Sequence, residues 1–167
     1  LLLKGSIVTI DAMGTQVEIA EKIIEKEGDY CLALKENRPA LHAEVERYFA
    51  DPEAAGITRC EAAEKDHGRL EIRRHSVTSD IDWLFSDHRH PGELNFPGLK
   101  MIGMVESETT RGGVAVPERR YYLCSKVMSA GVFAKVVRAH WGIENRLHWS
   151  LDVTFGEDQC RLRTGHG

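Results

Sequence analysis

Two carboxylates stand out as residues that could carry chemistry. Asp11 directly follows a strand-like run at 6–10 that is rich in Ile, Val and Thr, and Glu144 lies far away in a helix-like segment. An aspartate after a buried strand lies at the carboxyl edge of a sheet, where open α/β sheets bind their ligands. Two carboxylates brought together there could hold two divalent ions about 4 Å apart across a phosphate. We predict that Asp11 is a metal ligand partnered by Glu144; an aspartate that only caps the following turn is the alternative.

Histidines accompany Glu144 in its predicted helix. His140, Glu144 and His148 are each four residues apart, so they share one helical face. Such a set could bind a metal ion, or it could form a hydrogen-bonded structural stripe. The zinc pattern His-Glu-x-x-His is absent, and both interpretations stay open.

A first group of cationic and amide residues follows the second predicted strand. Lys35, Asn37 and Arg38 lie there, at the same carboxyl edge as Asp11. Side chains of these types could hold a phosphate backbone. A solvated loop explains them equally well.

A second basic group falls on predicted strands. Arg69, Arg73 and Arg74 form a basic hairpin, and Arg119 and Arg120 lie near it in the expected sheet. The adjacent tyrosines at 121 and 122 make this group typical of a nucleic-acid surface. Alternating charge is also typical of a solvent-exposed strand face.

The pattern of apolar residues predicts an α/β fold around these candidates. A helix is expected from Thr15 to Gly28, with Thr15 and Glu18 as a capping box and Gly28 as a left-handed cap. A buried strand at 30–35 then completes a βαβ unit with two parallel strands. A further helix begins at Pro39.

The pattern changes to strands in the middle of the chain. We predict strands at 58–65, 69–78, 99–109 and 118–126, with hairpins joining the first pair and the last pair. Helical periodicity returns at 129. The predicted division is therefore a βαβα unit at 1–57, a β-rich insertion at 58–128, and a glutamate-bearing helix with a tail at 129–167.

The composition indicates a globular domain. Of 167 residues, 42% are hydrophobic and 29% are charged, and no stretch approaches the ~18 apolar residues of a membrane helix. The four cysteines are irregularly spaced, which favours reduced thiols in a cytoplasmic protein over a zinc site. The net charge of −4 is unlike that of most DNA-binding domains. Nucleic-acid binding would therefore rest on local patches.

Taken in order, the motifs resemble those of the DDE transposases of bacterial insertion sequences, in particular the H-repeat-associated group (ISAs-one type). The resemblance spans essentially the whole chain. It is carried by Ile7-Val8-Thr9-Ile10-Asp11-Ala12-Met13-Gly14, Leu32-Ala33-Leu34-Lys35 with Asn37, His67-Gly68-Arg69, Arg119-Arg120-Tyr121-Tyr122, and His140-Trp141-Gly142-Ile143-Glu144-Asn145 with Leu147-His148-Trp149.

The resemblance implies an RNase H-like core whose three acidic residues bind Mg²⁺ or Mn²⁺. Asp11 matches the second aspartate of that triad and Glu144 matches its glutamate. The family's first aspartate lies upstream in an Asp-Gly-Lys context that this sequence does not contain. The expected fold is therefore a truncated RNase H-like α/β domain that lacks the first strands and carries the β-rich insertion before the glutamate helix. Arg38 departs from the family pattern, which favours Gln.

The resulting hypothesis is a fragment of an enzyme that cuts DNA and transfers strands by two-metal phosphoryl transfer. Its expected partners are insertion-sequence ends, target DNA and a second copy of the intact protein, in the bacterial cytoplasm at the nucleoid. The isolated chain is expected to be inactive; the alternatives are a catalytically dead remnant and a nucleic-acid-binding module. The hypothesis assigns DNA contacts to Lys35, Asn37, Arg38, Arg69, Arg73, Arg138, His140, Asn145, Arg146 and His148.

Overall fold

The computed structural model describes residues 2–36, 38–66, 69–85, 96–111 and 114–143. In these residues a six-stranded mixed sheet has helices on both faces, so the predicted α/β class is confirmed. The elements are β1 (Ile7–Ile10), α1 (Val17–Glu25), β2 (Asp29–Leu34), α2 (Pro39–Ala50), β3 (Thr58–Asp66), β4 (Arg69–Thr78), β5 (Met101–Arg111), β6 (Val114–Cys124) and α3 (Ala130–Ile143), with short 3-10 turns at Ala12–Gly14 and Asp82–Phe85.

The sheet joins the βαβ unit and the later strands into one layer. Its order is β1-β2-β6-β5-β4-β3, with β1 and β2 parallel, as predicted, and β6 antiparallel to β2. The two predicted hairpins, β3–β4 and β5–β6, are also present. The strands of the β-rich stretch therefore extend the sheet that begins with β1.

Both faces of the sheet are covered. On one face, α1 and α2 pack over Leu32, Tyr121 and Leu123, and Val45 is the fully buried residue of α2. On the other face, α3 packs over Cys31 and Tyr122. Among the described residues no helix is long and apolar enough to cross a membrane.

Thr15 does not cap α1, so the predicted capping box is wrong. The helix begins after Gln16, which makes no side-chain cap. Thr15 is fully buried, and its Oγ1 donates a hydrogen bond to the carbonyl oxygen of Ala33 at 2.6 Å. This bond ties the turn that follows Asp11 to the neighbouring strand β2.

The end of α1 also differs from the prediction. Glu27, and not Gly28, takes the left-handed conformation, with φ of 56°. The Gly28 N–H donates a hydrogen bond to the Ile23 carbonyl oxygen at 3.0 Å, and the Glu27 N–H donates one to the Ile24 carbonyl oxygen at 2.9 Å. This pair of hydrogen bonds is the Schellman motif. Gly28 serves a different need, because a Cβ there would lie 2.9 Å from the Leu3 Cβ.

The two hairpins project past the ends of the first two strands. β2 pairs with β6 only as far as Leu34 opposite Tyr121, whereas the β5–β6 ladder continues to Arg111 opposite Val114. Residues 114–120 therefore extend roughly 20 Å beyond β2, at about 3.3 Å per residue. The β3–β4 hairpin runs in the same direction, so both hairpins project beyond the carboxyl ends of β1 and β2.

Phe133 anchors α3 on the sheet. Its ring is fully buried and lies edge-on to Tyr122, with 5.5 Å between ring centroids. Gly103 of β5 leaves the room for this ring, because a Cβ at Gly103 would lie 2.5 Å from Phe133 Cζ. The contact requires a residue without a side chain at that point of β5.

We therefore expect Gly103→Ala to destabilise the chain by about 1–3 kcal/mol, the usual cost of overpacking a core. Gly131→Ala is the matched control, because a Cβ at that position of α3 meets no atom within 4 Å. The control should leave stability unchanged or raise it by up to ~1 kcal/mol, since Ala favours a helix over Gly. Urea unfolding measures both, and equal effects would contradict the packing argument.

Candidate active-site edge

Asp11 lies directly after β1, at the predicted edge of the sheet. Its Oδ1 accepts a hydrogen bond from the Ala12 N–H at 2.7 Å, so the residue caps the 3-10 turn. The carboxylate nevertheless stays open to solvent, with 61% of the side chain exposed. Capping and ligand binding are therefore compatible roles for this residue, because one conformation allows both.

Lys35 forms an ion pair with this carboxylate. Its Nζ lies 3.7 Å from Asp11 Oδ1, and both side chains are 61% exposed. An ion pair this exposed adds little to stability. The ion pair does show that the two parallel strands bring a carboxylate and an ammonium group to one edge of the sheet, as predicted from their positions in the sequence.

The last turn of α3 docks beside Asp11. His140 Nδ1 lies 3.1 Å from the hydroxyl oxygen of Thr9, which stands two residues before Asp11 in β1. This partly buried hydrogen bond joins elements 131 residues apart. Of the predicted stripe, His140 thus has a structural partner, while Glu144 and His148 lie outside the described residues.

Trp141 continues this contact over the sheet. The guanidinium carbon of Arg120 in β6 lies 4.2 Å from the Trp141 ring centroid. Arg120 also donates from Nε and Nη2 to Glu118 Oε1, at 3.0 and 2.8 Å. The sequence interpretation missed this pairing, although the alternation of side chains along a strand separates Arg120 from its neighbour Arg119.

Tyr122 lies between these contacts and Asp11. Its side chain is buried, and burial raises its pKa to about 12. A hydrogen bond with Trp141 lowers the pKa, and the negative charge of Asp11 raises it to a smaller extent. Tyr122 is therefore a neutral phenol that packs against α3 within electrostatic range of Asp11.

The remaining predicted DNA contacts are spread around this edge. Arg38 directly precedes α2, and its N–H donates to the Lys35 carbonyl oxygen at 3.1 Å. Arg73 lies in β4 and Arg138 on the exposed side of α3. Arg69 begins β4, but its side chain is not described. The residues outside the described part are Asn37, Glu144, Asn145, Arg146 and His148.

The predicted basic hairpin is divided between two faces of the sheet. Arg74 and Arg119 lie on the α2 face. There the Glu106 carboxylate forms ion pairs with both, at 3.3 Å from Arg74 and 2.9 Å from Arg119. Arg74 also pairs with Glu61 at 3.3 Å and with Glu108 at 3.2 Å. The hydrogen bond from Arg119 holds the pKa of Glu106 below its usual value. This row is an ion-pair ladder, so its cations are largely neutralised.

A divalent ion would find one suitable ligand here in the described part of the chain. No three His, Cys, Asp or Glu side chains come together in the described residues. Asp11 nevertheless fits Mg²⁺, which is usually bound through one or two carboxylates, several waters and substrate phosphates. The exposed carboxylate meets that chemistry, and the other ligands must come from elsewhere.

A cavity of about 530 Å³ lies at the opposite edge of the sheet. It is lined by Thr58, Thr78, Met101 and the start of α3. Its strand residues belong to β3, β4 and β5, which lie three to five strands away from β1 in the sheet, so the cavity is separate from the candidate site.

Comparison with known proteins gives a family. The sequence matches the family described as Transposase DDE domain over residues 1–167. It is 39% identical to "Putative transposase YncI" of Escherichia coli O157:H7 and 38% identical to "H repeat-associated putative transposase YhhI" of E. coli K12, each over 98% of this chain. The matched regions are 42% and 44% of those relatives, so the chain spans less than half of their length.

The bond between Thr9 and His140 predicts an energetic coupling between β1 and α3. Thr9→Val keeps the side-chain shape but removes the hydroxyl, and a hydrogen bond of this kind contributes about 0.5–1.5 kcal/mol. In a double-mutant cycle with His140→Phe, we expect a coupling of that size in urea unfolding. Two additive single effects, within about 0.3–0.5 kcal/mol, would show that the bond contributes nothing.

Proposed function

Because the chain belongs to the Transposase DDE domain family, we propose that it forms part of an enzyme that cuts DNA and joins the cut strand to a new site. The match over the whole chain and the H repeat-associated relative confirm the family predicted from the ordered motifs. The activity is proposed for the whole protein, of which the chain spans a part.

The observation that carries the proposal is the exposed Asp11 carboxylate with α3 docked beside it. Glu144 follows His140 by four residues and Trp141 by three, so continued helical spacing would bring it to the same face as these two residues. We assign Asp11 and Glu144 as ligands of divalent ions. Such ions supply charge stabilisation and an activated oxygen nucleophile for in-line displacement at phosphorus. The protein's own part is to hold the carboxylates rigidly, and the buried Thr15 and the Asp11 cap support this at β1.

An RNase H-like arrangement is also part of the proposal. Among the described residues β1 pairs only with β2, so its outer edge is open to a further strand. The strand that carries the family's first aspartate would pair there and complete three carboxylates. Without that carboxylate, the chain alone should not sustain catalysis.

DNA would approach at the carboxyl edge. Lys35 places an ammonium group beside Asp11, where it can contact a phosphate next to the reacting one. The projecting hairpins extend the surface on the same side of the sheet. These features support assigning Lys35, Arg38 and Arg73 to contacts with insertion-sequence ends or target DNA.

A nucleic-acid-binding module without catalysis is the second candidate. It would use the arginines of β4 and β6 as a basic face. The ladder of Arg74 and Arg119 with three glutamates weakens this candidate, because paired arginines have less charge to offer a phosphate. The catalytic proposal does not depend on that face.

The role of Asp11 predicts the loss of metal-dependent DNA cleavage. In the full-length protein, Asp11→Asn should reduce Mg²⁺- or Mn²⁺-dependent cleavage by at least about a hundredfold, since a metal contributes several kcal/mol. Asp51→Asn is the matched control: Asp51 is also exposed and accepts a bond from the Glu53 N–H at 2.9 Å. Asparagine preserves both caps, so equal activity of the two variants would overturn the proposal.

The position of Lys35 predicts its contribution to DNA binding. Lys35→Gln should weaken binding of the full-length protein to insertion-end DNA and lower the salt slope by about 1, as for one lost phosphate contact. Lys22→Gln, an equal charge change on the exposed side of α1, should not. A larger loss for Arg74→Gln than for Lys35→Gln, measured by salt titration, would favour the binding module instead.

A further inference from the structure

The side chain of Arg120 is held by contacts within the protein. Two of its N–H groups donate to one oxygen of Glu118, at 3.0 and 2.8 Å. The face of its guanidinium group lies over Trp141, 4.2 Å from the ring centroid. The contacts of this guanidinium group are therefore made within the protein, whereas a phosphate-binding arginine presents its N–H groups to solvent.

Trp141 belongs to the last described turn of α3, next to His140. The two residues attach that turn to different strands, because His140 bonds Thr9 of β1 and Trp141 stacks on Arg120 of β6. Strand β2 lies between these strands in the sheet. One attachment would leave the helix end free to pivot, whereas two attachments fix both its position and its rotation.

We propose that Arg120 is a positioning residue that, through Trp141, fixes the C-terminal turn of α3 beside Asp11. The inference rests on the proposed function, because the turn matters for the site that Asp11 begins. Arg120 acts on the helix and not on DNA. Its neighbour Arg119 points to the other face, where it pairs with Glu106 at 2.9 Å, and has no part in this.

The first test measures the helix end directly in the full-length protein. Arg120→Met keeps the apolar stem but removes the stacked cation and the bonds to Glu118. Backbone amides at 138–143 should then exchange with deuterium at least about tenfold faster, since local opening controls exchange. Arg119→Met, an equal loss of charge on the adjacent residue, should leave those amides unchanged. Equal exchange in both variants would overturn the proposal.

The second test uses Mn²⁺ alone as the probe, followed by its electron paramagnetic resonance. We expect Arg120→Met to weaken the site by about 10- to 100-fold, as for other residues that orient metal ligands. Arg120→Lys keeps a cation over the ring and should restore part of the affinity. Trp141→Leu should weaken the site at least as much as Arg120→Met, because it removes the same stacking contact and also the hydrogen bond with Tyr122. The double variant should lose little more than Trp141→Leu alone.

The outcomes separate this inference from the proposed function. If Asp11→Asn leaves Mn²⁺ binding intact, the proposed metal site itself fails. If Asp11→Asn abolishes binding while Arg120→Met and Trp141→Leu do not change it, only the positioning role is overturned. A rise in the KM for DNA with unchanged metal affinity would make Arg120 a DNA contact, which also overturns it. Should Arg120→Met not fold, Arg120→Lys and Trp141→Leu still decide between these outcomes.

Discussion

The docking of α3 across the sheet is the constraint on which the candidate site depends. The helix is pinned where Phe133 fills the space above Gly103, and it reaches β1 where His140 meets Thr9 at 3.1 Å. Packing at the first point sets the direction of the helix, because a close-packed core leaves the ring little freedom to move. Hydrogen bonding at the second point holds the last described turn of the helix against β1. A carboxylate on β1 and a helix from the other end of the chain thereby come to one edge.

Much of the fold could be predicted from local patterns. The strand at 6–10 is observed as Ile7–Ile10, and the predicted hairpins and the helix from Pro39 are present. Alternation and helical spacing are properties of neighbouring residues, so one sequence suffices to detect them. The carboxyl edge followed from the same logic, since two parallel strands of a βαβ unit end on the same side. Placing Lys35 near Asp11 required no knowledge of the rest of the sheet.

The errors arose where a residue's partner lies far along the chain. Thr15 has the spacing of a cap, but its hydroxyl bonds to Ala33 at 2.6 Å once β2 is in place. The basic hairpin looked continuous because strand pairing was unknown; the β5 register inserts Glu106 between Arg74 and Arg119. Glu27 takes the left-handed conformation although Gly28 stands next to it, and the glycine at 28 is explained instead by the close approach of Leu3. Each error reflects a tertiary contact that overrides a local preference.

The net charge of −4 is compatible with the DNA contacts proposed for the carboxyl edge, because the described acidic and basic groups are paired differently on the α2 face and at that edge. Glu61, Glu106 and Glu108 are paired with two arginines on the α2 face, so most of the negative charge of these three carboxylates is neutralised locally. At the carboxyl edge the pairing is different: Lys35 meets Asp11 at 3.7 Å with both side chains largely in solvent. A loose pair of this kind can be separated at little cost, which would free the ammonium group for a phosphate and the carboxylate for a cation. The chemistry proposed for this edge therefore depends on a weak ion pair, and the positions of its two members depend on the strong contacts that hold β1, β2 and α3 together.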